Sequence, residues 1–117
     1  MVENYFSFTE MTCPCCGRAD MKPDFMARLN ALRKECGFPF IINSGYRCPD
    51  HNQAVGGKVD SAHVKGRAAD ISCKDSHKRF LIASHAARLG FRRIGIGKDF
   101  VHVDDDESLP QDVLWLY

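Results

Sequence analysis

No apolar run in this 117-residue chain approaches the ~20 residues that a membrane-spanning helix needs, so no transmembrane segment is expected. Charge of one sign is also missing. Sixteen Lys and Arg stand against fifteen Asp and Glu, leaving a net charge of +1, which removes the electrostatic case for nucleic acid or an anionic membrane. The opening Met1-Val2-Glu3-Asn4-Tyr5 has neither the basic start nor the apolar run of a signal peptide, so export is expected to need another route. Repeats, linkers and low-complexity segments are absent too. A single domain over residues 1–117 follows, long enough for a core and too short for two. At 44% hydrophobic and 26% charged residues, the composition is that of a folded protein and argues against disorder.

Cysteine, by contrast, is plentiful. Cys13, Cys15, Cys16, Cys36, Cys48 and Cys73 invite either a disulfide framework or a zinc site. Cys13-x-x-Cys16 has the spacing of half a zinc knuckle, but the other half needs two more close ligands, and Cys36 and Cys48 stand alone in the sequence. Without a signal peptide the thiols are expected to stay reduced. Buried free cysteines or one local bridge are therefore favoured over a framework.

Periodicity places the elements. From Pro23, the residues Phe25, Met26, Leu29, Leu32 and Cys36 follow helical spacing, with Pro23 suited to the first turn and Gly37 to the stop. Phe40-Ile41-Ile42 reads as a short buried strand that delivers Asn43 to Arg47 as a loop. Pro49 to Val55 is a helix of about two turns ended by Gly56-Gly57. Ala68 to Cys73 alternates as a strand, with Ala68, Asp70 and Ser72 on one face and Ala69, Ile71 and Cys73 on the other. Ser76 is the expected N-cap of a second long helix, with Phe80, Ala83 and Ala87 on its inner face and Gly90 at its end. Phe91 to Ile96 and Phe100 to Val103 are strands around a Gly97-Lys98-Asp99 turn, and Val113 to Tyr117 is a last strand or a docked end. Tyr5, Phe6 and Phe8 form an arm packed on the domain. His77 and His85 lack a ligand partner at i+4 and read as surface or packing residues.

The chain is organised around Ser61-Ala62-His63-Val64-Lys65-Gly66-Arg67-Ala68-Ala69-Asp70. Seven residues span roughly 10 Å on a helix and about 23 Å on a strand, whereas two ligands of one zinc each sit about 2 Å from it. Joint use of His63 and Asp70 thus requires the chain to fold back, and Gly66 is the residue suited to the turn.

Ser61-x-His63-x-x-Gly66-x-Ala68-x-Asp70, followed by Val101-His102-Val103-Asp104, resembles the zinc-site signature of the M15 peptidases, the D-Ala-D-Ala carboxypeptidase and phage endolysin group. Cys13-Pro14-Cys15-Cys16-Gly17, Ile42-Asn43-Ser44-Gly45-Tyr46-Arg47 and His51-Asn52 extend the resemblance from about Cys13 to Asp104. It implies an α+β fold, a small antiparallel sheet flanked by helices, similar to the hedgehog and DD-peptidase group. It implies one zinc per chain on His63, Asp70 and His102, a set that leaves a fourth position for the attacking water. It also gives Arg47 the role of stabilising the developing oxyanion, although Arg47 alone reads equally as a surface residue or a contact to a substrate carboxylate. Asn52 matches the family's asparagine, and either substrate binding or a structural hydrogen bond explains it. Ser61 either holds substrate, orients a ligand or caps a turn. His51, on a short helix without a matching partner, is left outside the site.

Two carboxylates compete as the general base. Asp99-Phe100-Val101-His102 matches the family's spacing of base to last ligand, and the turn frees Asp99 from strand alternation. Asp104 shares a strand face with His102 and fits an orienting role toward His102 or Arg47. The resulting reading is a monomeric zinc peptidase acting on an amide of bacterial peptidoglycan peptides, of phage or prophage kind and released through a holin or by virion delivery. The alternatives are an inactive metal-bearing module that binds cell wall or helps build a phage particle, and a Cys13–Cys16 zinc-knuckle protein binding nucleic acid, against which the near-neutral charge counts.

Overall fold

The computed structural model describes residues 4–117. Met1–Glu3, where the signal-peptide reading begins, lies outside them. The elements in order are α1 (Phe8–Met11), α2 (Pro23–Cys36), β1 (Ile42–Ser44), α3 (Pro49–Ala54), β2 (Ala68–Ser72), α4 (Ser76–Arg88), β3 (Arg93–Ile96), β4 (Phe100–Asp104) and β5 (Val113–Leu116). This is an α+β fold. Among the described residues no helix is long and apolar enough to cross a membrane.

The five strands form one sheet in the order β1-β2-β4-β3-β5. The expected antiparallel sheet is in fact mixed, because β5 runs parallel to β3. After β4 the chain passes across β3 to its free edge, and a strand laid there in β3's own direction can pair only in parallel. The tail is thus a strand rather than merely a docked end. Ile42 opposes Ile71 while Ser44 opposes Asp70, an irregularity of register that inserts Asn43 into the short edge strand. The strand begins at Ile42, later than the Phe40-Ile41-Ile42 expected, although the Ile41 carbonyl already accepts from the Ser72 N–H at 2.7 Å, and the Ile41 side chain is exposed.

One face of the sheet is covered by helices. Ala69, Ile71, Val101, Val103 and Ile94 meet Phe25, Leu29, Leu32, Ile82 and Ala86 in a single apolar core. Phe25 and Phe91 pack edge to face, with centroids 5.8 Å apart. Truncating a fully buried phenylalanine of this kind costs about 3–5 kcal/mol. The predicted α2 matches Pro23–Cys36 and is followed by Gly37. In α4 the inner face is displaced from the expected one: Ile82 and Ala86 are buried while Phe80 is exposed. Asp75, not Ser76, is the N-cap, accepting from the Lys78 N–H, so the helix begins one residue earlier than expected, at Ser76. Cys48 occupies the N-cap of α3, with Pro49 and Asp50 in its first turn. Of the aromatic arm, Phe6 is buried against Phe40, whereas Phe8 is exposed.

Candidate metal centre

The helix-free face of the sheet carries the site, and its geometry follows from register. Ser44, Asp70, His102, Gly95 and Trp115 are successive cross-strand partners over all five strands. Paired residues share a face, so strand alternation that sends Ile71 and Val101 into the core sends Asp70 and His102 to the site.

His63 arrives from outside the sheet. Between Ser61 and Arg67 successive tight turns reverse the chain, with Val64 N–H donating to the Ser61 carbonyl and Arg67 N–H to the Ala62 carbonyl. Gly66 has φ +72°, and a Cβ there would overlap the carbonyl oxygen of Asp20. No other residue fits this bend. The Ser61 hydroxyl accepts from the His63 N–H at 3.2 Å, the turn-capping contact among the alternatives weighed for it.

His63, Asp70 and His102 are each buried, and one donor atom from each lies within 4.8 Å of the others. Asp70 Oδ1 is 3.3 Å from His63 Nε2 and 2.9 Å from His102 Nδ1. Two ligand atoms at about 2.1 Å from a tetrahedral zinc stand about 3.4 Å apart, so the separations fit an ion between them. The outer nitrogens are held as a metal requires. His63 Nδ1 donates to the Gly45 carbonyl at 2.8 Å, leaving the Nε2 lone pair toward Asp70. His102 Nε2 lies 2.6 Å from Asp104 Oδ2, which leaves Nδ1 for the site. Burial pushes the Asp70 carboxyl up, but the His102 and His63 rings beside it outweigh burial and hold it far below the usual carboxylate range. Burial pushes His102 down, and Asp104 and Asp70 more than reverse this.

Arg47 stands beside the triad. Its Nη2 lies 3.3 Å from Asp70 Oδ2, its Nε donates to Ser44 Oγ at 3.1 Å, and its Nη1 donates to Asn52 Oδ1 at 3.4 Å. Asn52 is buried and donates its Nδ2 to the Lys58 carbonyl at 2.7 Å. Both ends of that amide are engaged within the protein, the structural hydrogen bond among the alternatives for Asn52.

The two competing carboxylates sit differently. Asp104 is buried and accepts from His102, from Arg93 Nε at 2.9 Å and from the Asp106 N–H. Its partner besides His102 is Arg93, not Arg47. Asp99 lies exposed in the β3–β4 turn, with its carbonyl taking the Cys73 N–H, and it is three residue steps from the Asp70–His102 pair. Among the described residues its carboxylate has no hydrogen-bond or ion-pair partner, and it is not among the groups whose donor atoms converge at His63, Asp70 and His102. His77 is exposed, and His85 contacts Arg88 Nη2 at 2.7 Å, away from the site.

Sequence reasoning missed the far wall. The Trp115 indole lies 5.3 Å from the His102 ring, and the Arg93 guanidinium stacks on it at 5.0 Å. Tyr117 continues this wall, 4.8 Å from Phe100. Gly95 makes room: a Cβ there would stand 2.7 Å from the indole. The apolar tail was the only local signal, and nothing in its spacing points to His102.

Comparison with curated proteins finds none that matches. The sequence model described as Peptidase M15 does match, over residues 4–104, which take in Arg47, the triad and Asp104, and on that extent the chain belongs to the M15 peptidase family.

Proposed function

We propose that this protein is a zinc peptidase that hydrolyses an amide bond in peptidoglycan stem peptides or cross-links. The observation that carries the proposal is the convergence of His63 Nε2, Asp70 Oδ1 and His102 Nδ1, with outer nitrogens held by Gly45 and Asp104, beside an arginine on the same face. Zinc dependence belongs to the family. The ion, held by His63, Asp70 and His102, would supply Lewis acidity and an activated water.

The chain's own groups do the rest. Arg47 is fixed at Nε by Ser44 and at Nη1 by Asn52, so its planar fork presents positive charge to a carbonyl oxygen without reorganising as negative charge develops there. Asn52 is a positioning residue for Arg47. Ser61 keeps its O–H available for a substrate polar group while its oxygen caps the His63 turn. Asp99 is the proposed proton acceptor, supported by its spacing to His102 and by a carboxylate without a partner among the described residues, where Asp104 is already committed to His102 and Arg93.

The exposure of Asp99 and its distance along the strand from the triad favour a second reading, a metal-bearing module that binds wall peptide without turnover. Incubating zinc-loaded protein with purified peptidoglycan separates the two. Fragments with new amino and carboxyl ends, identified by mass spectrometry and absent for His63→Ala, are expected. Intact wall that co-sediments with the protein would overturn hydrolysis in favour of binding.

A further inference from the structure

Cys48, isolated in sequence, is folded onto the Cys13 turn. The Cys13 and Cys48 sulfurs are 3.7 Å apart, and those of Cys13, Cys16 and Cys48 all lie within 4.8 Å of one another. Two thiolates each about 2.3 Å from a tetrahedral zinc stand about 3.8 Å apart, whereas bonded disulfide sulfurs stand about 2.05 Å apart. The separations are those of ligands around an ion.

The backbone is arranged for thiolate charge. Cys48 N–H is directed at Cys13 Sγ and His51 N–H at Cys48 Sγ, each at 3.4 Å. Cys13 is buried, and the N–H groups of Cys48, Cys16 and Cys15 are directed at its sulfur. The turn is closed by Gly17 N–H on the Cys13 carbonyl at 2.9 Å and Cys13 N–H on the Arg18 carbonyl at 2.7 Å. Cys15, exposed on the same turn, stands within hydrogen-bonding reach of the Cys48 thiol. Cys36 and Cys73 pack on the apolar core instead.

We infer that Cys13, Cys16 and Cys48, completed by Cys15, hold a second zinc ion that is structural and ties the Cys13 turn to the loop bearing Arg47. Four thiolates leave no open position, so this ion does no hydrolysis. Binding displaces the thiol protons to solvent. Its mechanical relevance is local: Cys48 directly follows Arg47, and Tyr46 N–H donates to the Met11 carbonyl at 3.1 Å, lacing the same two segments together. The inference does not depend on the hydrolytic reading, since it concerns a different ligand set.

The test is metal stoichiometry by mass spectrometry on protein purified under reducing conditions with zinc, together with the absorption spectrum after cobalt exchange. Wild type should hold two zinc ions, the His63→Ala/His102→Ala variant one, and the Cys16→Ser/Cys48→Ser variant one. The cobalt-loaded histidine variant should show an intense near-ultraviolet thiolate-to-cobalt band. Should the cysteine variant fail to fold, that spectrum decides alone. A folded histidine variant that binds no metal overturns the inference. So does a wild-type mass lower by two hydrogens with Cys13 and Cys48 mapped to one disulfide. Failure of the triad would appear separately, as wild type carrying only the thiolate-bound ion.

Discussion

Asp104 Oδ2 lies 2.6 Å from His102 Nε2, and through this contact a residue that faces no substrate selects the nitrogen that faces the site. The same carboxylate meets Arg93 Nε at 2.9 Å, so the buried His102 and Asp104 and the partly buried Arg93 form one chain of contacts beside Trp115.

Replacing Asp104 by Asn keeps the shape but removes the charge that holds His102 Nε2–H. Loss of such an outer partner typically lowers metal affinity about 10–100-fold, and the affinity of the His63–Asp70–His102 site should fall by that much in competition with a chelator. Arg93 loses the negative charge it pairs with, so a lower Tm should accompany the loss. Unchanged affinity would mean that His102 is oriented by packing alone.

Arg47→Lys should keep the fold and the metal while losing most turnover. A lysine ammonium cannot contact Ser44, Asn52 and Asp70 at once as the planar guanidinium does. We expect kcat to fall by about 10²-fold or more, the usual scale for losing an oxyanion donor. Wild-type kcat with a raised KM would instead assign Arg47 to ground-state binding of substrate.

Asp99→Asn should retain zinc and cut kcat by about 10² or more if Asp99 accepts the proton, as proposed. Its exposure makes the variant safe for folding. Full activity in Asp99→Asn removes it from the mechanism and leaves the proton to solvent or substrate.

Acid should weaken the fold at Asp106. Burial pushes this carboxyl up, but Lys65 Nζ at 2.7 Å and the Ser108 hydroxyl and N–H outweigh burial and hold it below the usual carboxylate range. A depressed folded-state value means that the stabilisation is complete above the unfolded-chain value, about 3.9, and is lost as pH falls through the lower folded one. Asp106→Asn should cost about 1–3 kcal/mol at neutral pH, and the Tm gap between wild type and variant should narrow below about pH 4. A gap constant with pH would show that the hydrogen bonds matter and the charge does not.

Local patterns made much of this legible. The alternation of Ala68 to Cys73 correctly separates Asp70 from Ile71, and the fold-back at Gly66 is the one the His63–Asp70 spacing demands. What escaped depends on contacts distant in sequence. Cys13 and Cys48 are 35 positions apart, and no local spacing announces that they touch. Trp115 reaches His102 only because β5 joins the far edge of β3. In α4 the error was one of phase: Phe80 looked like core by its spacing to Ala83 and Ala87, yet the helix turns Ile82 and Ala86 inward. The parity that makes Asp104 the orienter of His102 was readable, but the Arg93 that shares it comes from the neighbouring strand.

The family match ends at Asp104, yet the polypeptide that shapes the site runs on to Tyr117. A chain cut at that boundary would strip the indole from His102 and Arg93, uncover Gly95, and leave β3 with unpaired backbone donors and acceptors along its whole outer side, a template for intermolecular strand pairing. The unit of recognition and the unit of folding therefore have different boundaries. A recombinant version trimmed to the recognisable part would be predisposed to aggregate.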